Sequence, residues 1–131
     1  MDPDMGRRTA RSPATWAALV VPPLAWGFQL FVGDMLFELG CAPGVRGHVV
    51  FGLGLRPWSG IITGAAAGAT LVAGAFAVRA WRRARSWGDV RWAERARTML
   101  WWGLVSVGFY LLIILYGAFP PLFVNECAPL L

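Results

Sequence analysis

Apolar positions in this chain gather into three long blocks, not into the short periodic stretches of a soluble domain. The first covers residues 14–41, the second runs from Trp58 to Trp81, and the third from Thr98 to Phe119, where Pro120-Pro121 ends it. Each approaches or exceeds the ~20 residues with which an α-helix crosses a ~30 Å hydrocarbon core. Polar or Gly/Pro-rich stretches lie between and around them, at residues 1–12, 42–57, 82–97 and 120–131. The pattern predicts an all-α membrane protein, a single domain over residues 1–131, with helices over 14–41, 58–81 and 90–119. The third helix is given an early start because Gly88-Asp89 reads as a turn followed by a helix cap.

Within the first block, Ser12-Pro13 has the form of a helix start, with Ser as cap and Pro at the first helical position. Pro22-Pro23 then removes two backbone donors and predicts a kink or a restart. From Pro23 to Cys41 is 19 residues, about 28 Å of helix, so residues 14–21 become an interfacial lead-in. Arg7, Arg8 and Arg11 precede the block, as in a signal peptide, yet no small-x-small cleavage site follows a short core. An uncleaved anchor is expected. In the 42–57 loop, the apolar run "HVVFGLGL" is too short to cross a bilayer.

Composition sharpens this picture. Hydrophobic residues make up 57% of the chain and charged residues only 15%, against about 25% in a soluble domain. All twelve basic residues are Arg, and the formal charge is +5. The arginines flank the apolar blocks, which argues for membrane topology and contact with anionic lipid and against nucleic acid. Three lie in the N-terminal tail and seven in the 79–97 region, against two in the 42–57 loop and none after residue 119. By the positive-inside rule the N-terminus and residues 82–97 are cytoplasmic, while residues 42–57 and 120–131 are outside. Arg79, Arg82, Arg83 and Arg85, with Trp81, Trp101 and Trp102, are expected at the inner interface.

The helices also carry small and polar seams. Gly60, Gly64 and Gly68 recur every four residues on one helix face and predict close packing, against this chain's other helices or against another subunit. Gly33 and Gly40 share a face of the first helix with Gln29, and the third helix offers Gly103, Ser106, Tyr110 and Gly117. An amide in mid-bilayer needs a partner, so Gln29 is expected to bond another helix. Asp34, Glu38 and Cys41 fall at i, i+4 and i+7 on one face. With Cys41 at the outer surface, Glu38 lies about 4.5 Å and Asp34 about 10 Å below it. Glu38 reads as a wet helix-end acid, whereas Asp34 needs a partner. Arg46, Arg56, His48 and a second subunit are the alternatives. The chain's two cysteines, Cys41 and Cys127, follow the outer ends of helices one and three, and a disulfide between them is expected. No nucleophile–base pair, phosphate loop or metal-ligand cluster is visible, so neither an enzyme nor a cofactor is expected.

The stretch "PLAWGFQLFVGDMLFELGC" resembles the first span of a family of small three-helix bacterial membrane proteins. Their genes accompany those of haem–copper cytochrome c oxidases and related respiratory complexes. The resemblance rests on Pro23 to Trp26, on Glu38 and Cys41, and on "PPLFVNEC", ending at Cys127. Asp34, and Glu126 before Cys127, depart from the family's pattern. The resemblance implies a bacterial cytoplasmic-membrane location, respiratory-complex subunits as partners, and no catalytic residues. The expected function is that of a non-catalytic accessory subunit of an electron-transfer complex. The alternatives are an assembly factor or a small proton- or ion-conducting protein.

Overall fold

A computed structural model of the chain describes residues 13–44, 49–86, 91–123 and 127. Three helices dominate it: α1 (Pro13–Gly40), α2 (Leu55–Arg85) and α3 (Arg91–Gly117). A short hairpin, β1 (Val49–Val50) and β2 (Leu53–Gly54), precedes α2, and a single turn, α4 (Pro120–Phe123), follows α3. All three long helices have the length and hydropathy to cross a membrane.

Helix α1 starts at Pro13 and runs as one helix through Pro22 and Pro23. The restart expected there does not occur. Two consecutive prolines leave the rest of the helical ladder in place, and burial of Pro22 holds the segment against its neighbours. Helix α2 is longer at both ends than the predicted 58–81. Leu55 is buried against Gly40 and anchors the start, with Pro57 tolerated in the first turn. At the other end arginine is a good helix former and carries the helix on to Arg85. Helix α3 ends at Gly117, two residues before the predicted limit.

The predicted 42–57 loop contains structure of its own. Val49 pairs with Gly54 and Val50 with Leu53, antiparallel. The connecting pair, Phe51 and Gly52, has φ of 52° and 82°, the left-handed backbone that a two-residue hairpin turn requires. Trp58 ties the hairpin to α2: its Nε1 donates to the Val50 carbonyl at 2.8 Å, and Phe51 meets its ring edge-on.

The core is built from small residues. Thr63, Ala66, Thr70, Ala73, Gly74 and Ala77 are buried along one face of α2 and let both neighbours come close. A Cβ on Gly74 would lie 2.9 Å from Val107 Cγ1 of α3, and one on Gly103 would lie 3.0 Å from the Ala18 Cβ of α1. Leu100 and Ile114 of α3 fill the space between. Thr70 satisfies its hydroxyl by donating to the Ala66 carbonyl, 2.9 Å away in its own helix. The bulky side chains point the other way. Leu24, Phe31, Leu71, Phe109, Leu112 and Tyr116 are all exposed. Small inside and large apolar outside is the arrangement of helices packed within lipid.

The two ends of the bundle differ. At one, Arg82, Arg83 and Arg85 occupy the last turn of α2, where cations meet the negative end of the helix dipole. The Arg85 guanidinium lies 4.9 Å above the Trp81 ring. Arg97 reaches back from α3, its Nε donating to the Ala84 carbonyl at 3.4 Å. At the other end, Cys41 and Cys127 form a disulfide with Cα atoms 5.6 Å apart, 86 positions apart in sequence. The disulfide expected from the sequence is therefore present.

Candidate interhelical cleft

Gln29 is the polar centre of the bundle. It lies mid-way along α1, is 9% exposed, and touches both other helices. Its Nε2 donates to Thr63 Oγ1 of α2 at 3.0 Å and to the Ile114 carbonyl of α3 at 3.2 Å. One amide thus links three helices. Because the Ile114 carbonyl can only accept, the amide cannot turn over without facing acceptor to acceptor. That leaves Oε1 buried, with no hydrogen-bond partner among the described residues.

A cleft of about 150 Å³ opens beside this amide, toward the disulfide end. Helix α1 contributes Trp26, Gln29, Leu30, Gly33, Asp34 and Phe37, a set spaced at three and four residues and so on one flank. Ser59 and Ile62 of α2 form the floor, and Ile113, Gly117 and Pro121 close the far side. Two bridges between α1 and α3 bracket it. Trp26 packs against Tyr110 with ring centroids 6.0 Å apart, one helical turn before Gln29. The Cys41–Cys127 disulfide follows one turn after Phe37. Gly33 has no atom within 4 Å of a would-be Cβ, so the flank is open there. At Gly117 a Cβ would meet Gln29 Nε2 at 3.4 Å.

Asp34 is exposed on the cleft. Among the described residues its carboxylate has no hydrogen-bond or ion-pair partner. Of the partners considered from the sequence, Arg56 is exposed in the first turn of α2 and is not bonded to Asp34, whereas Arg46 and His48 lie outside the described residues. Glu38 is exposed one turn further on. The cleft sets the Asp34 carboxyl among apolar and aromatic surface, with Ser59 and Trp26, whose hydroxyl and indole N–H can donate, also on its lining.

The glycines divide differently from the sequence reading. Among the described residues Gly60, Gly64 and Gly68 have no atom within 4 Å of a Cβ position, so they do not pack against α1 or α3. That part of the expectation is corrected: the buried face of α2 is turned toward Thr63, Ala66 and Thr70 instead. Gly40 does pack closely, with Leu55 Cδ2 only 2.7 Å from its Cβ position. Arg79, Arg82, Arg83 and Arg85 are exposed at the opposite end, with Trp101 and Trp102 exposed on α3 and Trp81 half-buried. Sequence reasoning passed over Thr63 and Ser59, because a lone hydroxyl in an Ala/Gly-rich helix carries no pattern. Among the described residues no group of three His, Cys, Asp or Glu side chains is gathered.

No protein-family model, curated protein or solved structure matches the chain.

Proposed function

We propose that this chain is a non-catalytic accessory subunit of a multi-subunit membrane electron-transfer complex, respiratory and linked to a cytochrome oxidase. The observation that carries the subunit reading is an unfinished bundle. The Gly60/Gly64/Gly68 face accepts close backbone approach yet meets no described residue of its own chain, and Asp34 in the cleft has no described partner. Small faces and buried polar groups in lipid are the usual means by which one membrane helix holds another. The respiratory assignment rests on the resemblance of Pro23–Trp26, Glu38, Cys41 and Cys127 to the oxidase-associated family. Under this reading the protein crosses the bacterial cytoplasmic membrane three times, N-terminus inside, with a bend near Pro22-Pro23. The ten-to-two distribution of arginines supports that orientation. Arg79, Arg82, Arg83 and Arg85 then meet anionic headgroups, with Trp81, Trp101 and Trp102 at the same interface.

Extraction in mild detergent tests the reading. A subunit is recovered with electron-transfer proteins in fixed stoichiometry through successive purification steps. Recovery as an isolated chain would contradict it, and sub-stoichiometric recovery with assembly intermediates would favour an assembly factor. The cleft, with Asp34 and Gln29, is the one observation that favours proton or ion conduction. Flux through the purified protein in vesicles, abolished by Asp34→Asn, would support that function instead.

A further inference from the structure

We infer that the cleft beside Gln29 receives a basic side chain, Lys or Arg, from a membrane-spanning helix of the partner. The inference rests on the subunit reading and names the contact that reading requires. Three observations converge. First, the cleft presents an acceptor. The Asp34 carboxyl lines it, exposed and with no described partner, beside the amide of Gln29. A carboxylate within a spanning segment is costly until it is paired. An ammonium or guanidinium supplies charge and donors together. Second, size limits the occupant. About 150 Å³ is the scale of a cavity that takes a single aromatic ring, so the cleft suits the head of one side chain reaching in from its open side. Third, the cleft lies along the side of the bundle, between the Trp26–Tyr110 contact and the disulfide. Asp34 is six residues inside the end of α1, about 9 Å along the helix, which favours a donor carried by a spanning helix over one at the surface. Gly33 leaves room for that helix to approach. The chain's own cluster, Arg79 to Arg85, is at the far end of α2 and cannot serve, and Arg56, in the first turn of α2, is not bonded to Asp34.

Photo-cross-linking in the native membrane tests this. Benzoylphenylalanine replaces Leu30, half-exposed on the cleft rim, and in a control replaces Val72, exposed on the outer face of α2. The Leu30 adduct is expected to map to a spanning segment of another protein, with Lys or Arg within one helical turn of the attachment point. Asp34→Asn is expected to lower its yield by at least about tenfold, as for loss of one member of a buried charge pair, while Asp34→Glu retains it. The Asp34→Asn chain should keep its disulfide and melting midpoint, which separates lost docking from misfolding. Adducts confined to lipid, a target segment without a basic residue, or a yield unchanged by Asp34→Asn would each overturn the inference. If the partner still co-purifies at full stoichiometry with Asp34→Asn, the cleft inference fails and the subunit reading stands. If the wild-type chain recovers no partner, both fail.

Discussion

Gln29 shows how one side chain organises a bundle that has little else polar in it. Its two donor bonds are each worth about 0.6 kcal/mol, on the average for interhelical bonds within membranes. Against them stands the buried Oε1, whose missing donor costs about 1–3 kcal/mol. Gln29→Leu removes both effects and is expected to shift unfolding in detergent by no more than about 2 kcal/mol. Gln29→Glu keeps the size but, as the neutral acid, carries one donor where the amide has two, so one of the two bonds is lost and it should destabilise by about 1–3 kcal/mol. Steric-trap or thermal unfolding of the two variants checks the order. Gln29 was legible in the sequence because a lone amide in an apolar block has to find a partner. Its partners were not, since a backbone carbonyl carries no sequence signal. Asp34 gives a complementary expectation. It has no described partner in its own chain, so Asp34→Asn should leave the stability of the isolated protein within about 0.5 kcal/mol, as at a surface position.

At the scale of helices, the useful distinction is between glycines that pack and glycines that do not. Gly74→Ala would push a methyl to 2.9 Å from Val107 Cγ1, and overpacking of this kind costs about 1–3 kcal/mol. Gly64→Ala meets nothing and gains helix propensity, so it should leave the isolated protein as stable or slightly more so. Melting of both variants in one detergent reads the contrast, and equal destabilisation would mean that α2 is rotated from its present face. The sequence left this rotation open for a physical reason. Helix α2 is rich in Gly, Ala and Thr on most of its circumference, so a four-residue repeat of glycine did not mark a unique inner face. The three helices were legible because membrane thickness sets their length. The β1–β2 hairpin was not, because Phe51 occupies a left-handed turn position that a sequence pattern assigns to Gly or Asn.

The whole molecule is a bundle with a covalent end and a charged end. The disulfide joins residues 86 positions apart, for which chain-entropy arguments give on the order of 4 kcal/mol in water. Lipid already confines the unfolded chain, so Cys127→Ser is expected to lose less than that. The same variant should not be shifted further by reductant, whereas the melting midpoint of the wild-type protein should fall on reduction. The pairing was legible because both cysteines follow helix ends on the side that the arginines avoid. The proposed orientation joins these facts by placing the disulfide in an oxidising compartment and the arginines in the cytoplasm. It can be read with a single thiol, because the disulfide occupies both native cysteines. Ser86→Cys places a reactive thiol, exposed, at the arginine end, and Phe51→Cys places one on the hairpin at the other. A membrane-impermeant maleimide applied to intact cells should label Phe51→Cys and spare Ser86→Cys until the membrane is permeabilised. Labelling of Ser86→Cys in intact cells, with Phe51→Cys protected, would invert the protein in its membrane and contradict the proposed orientation.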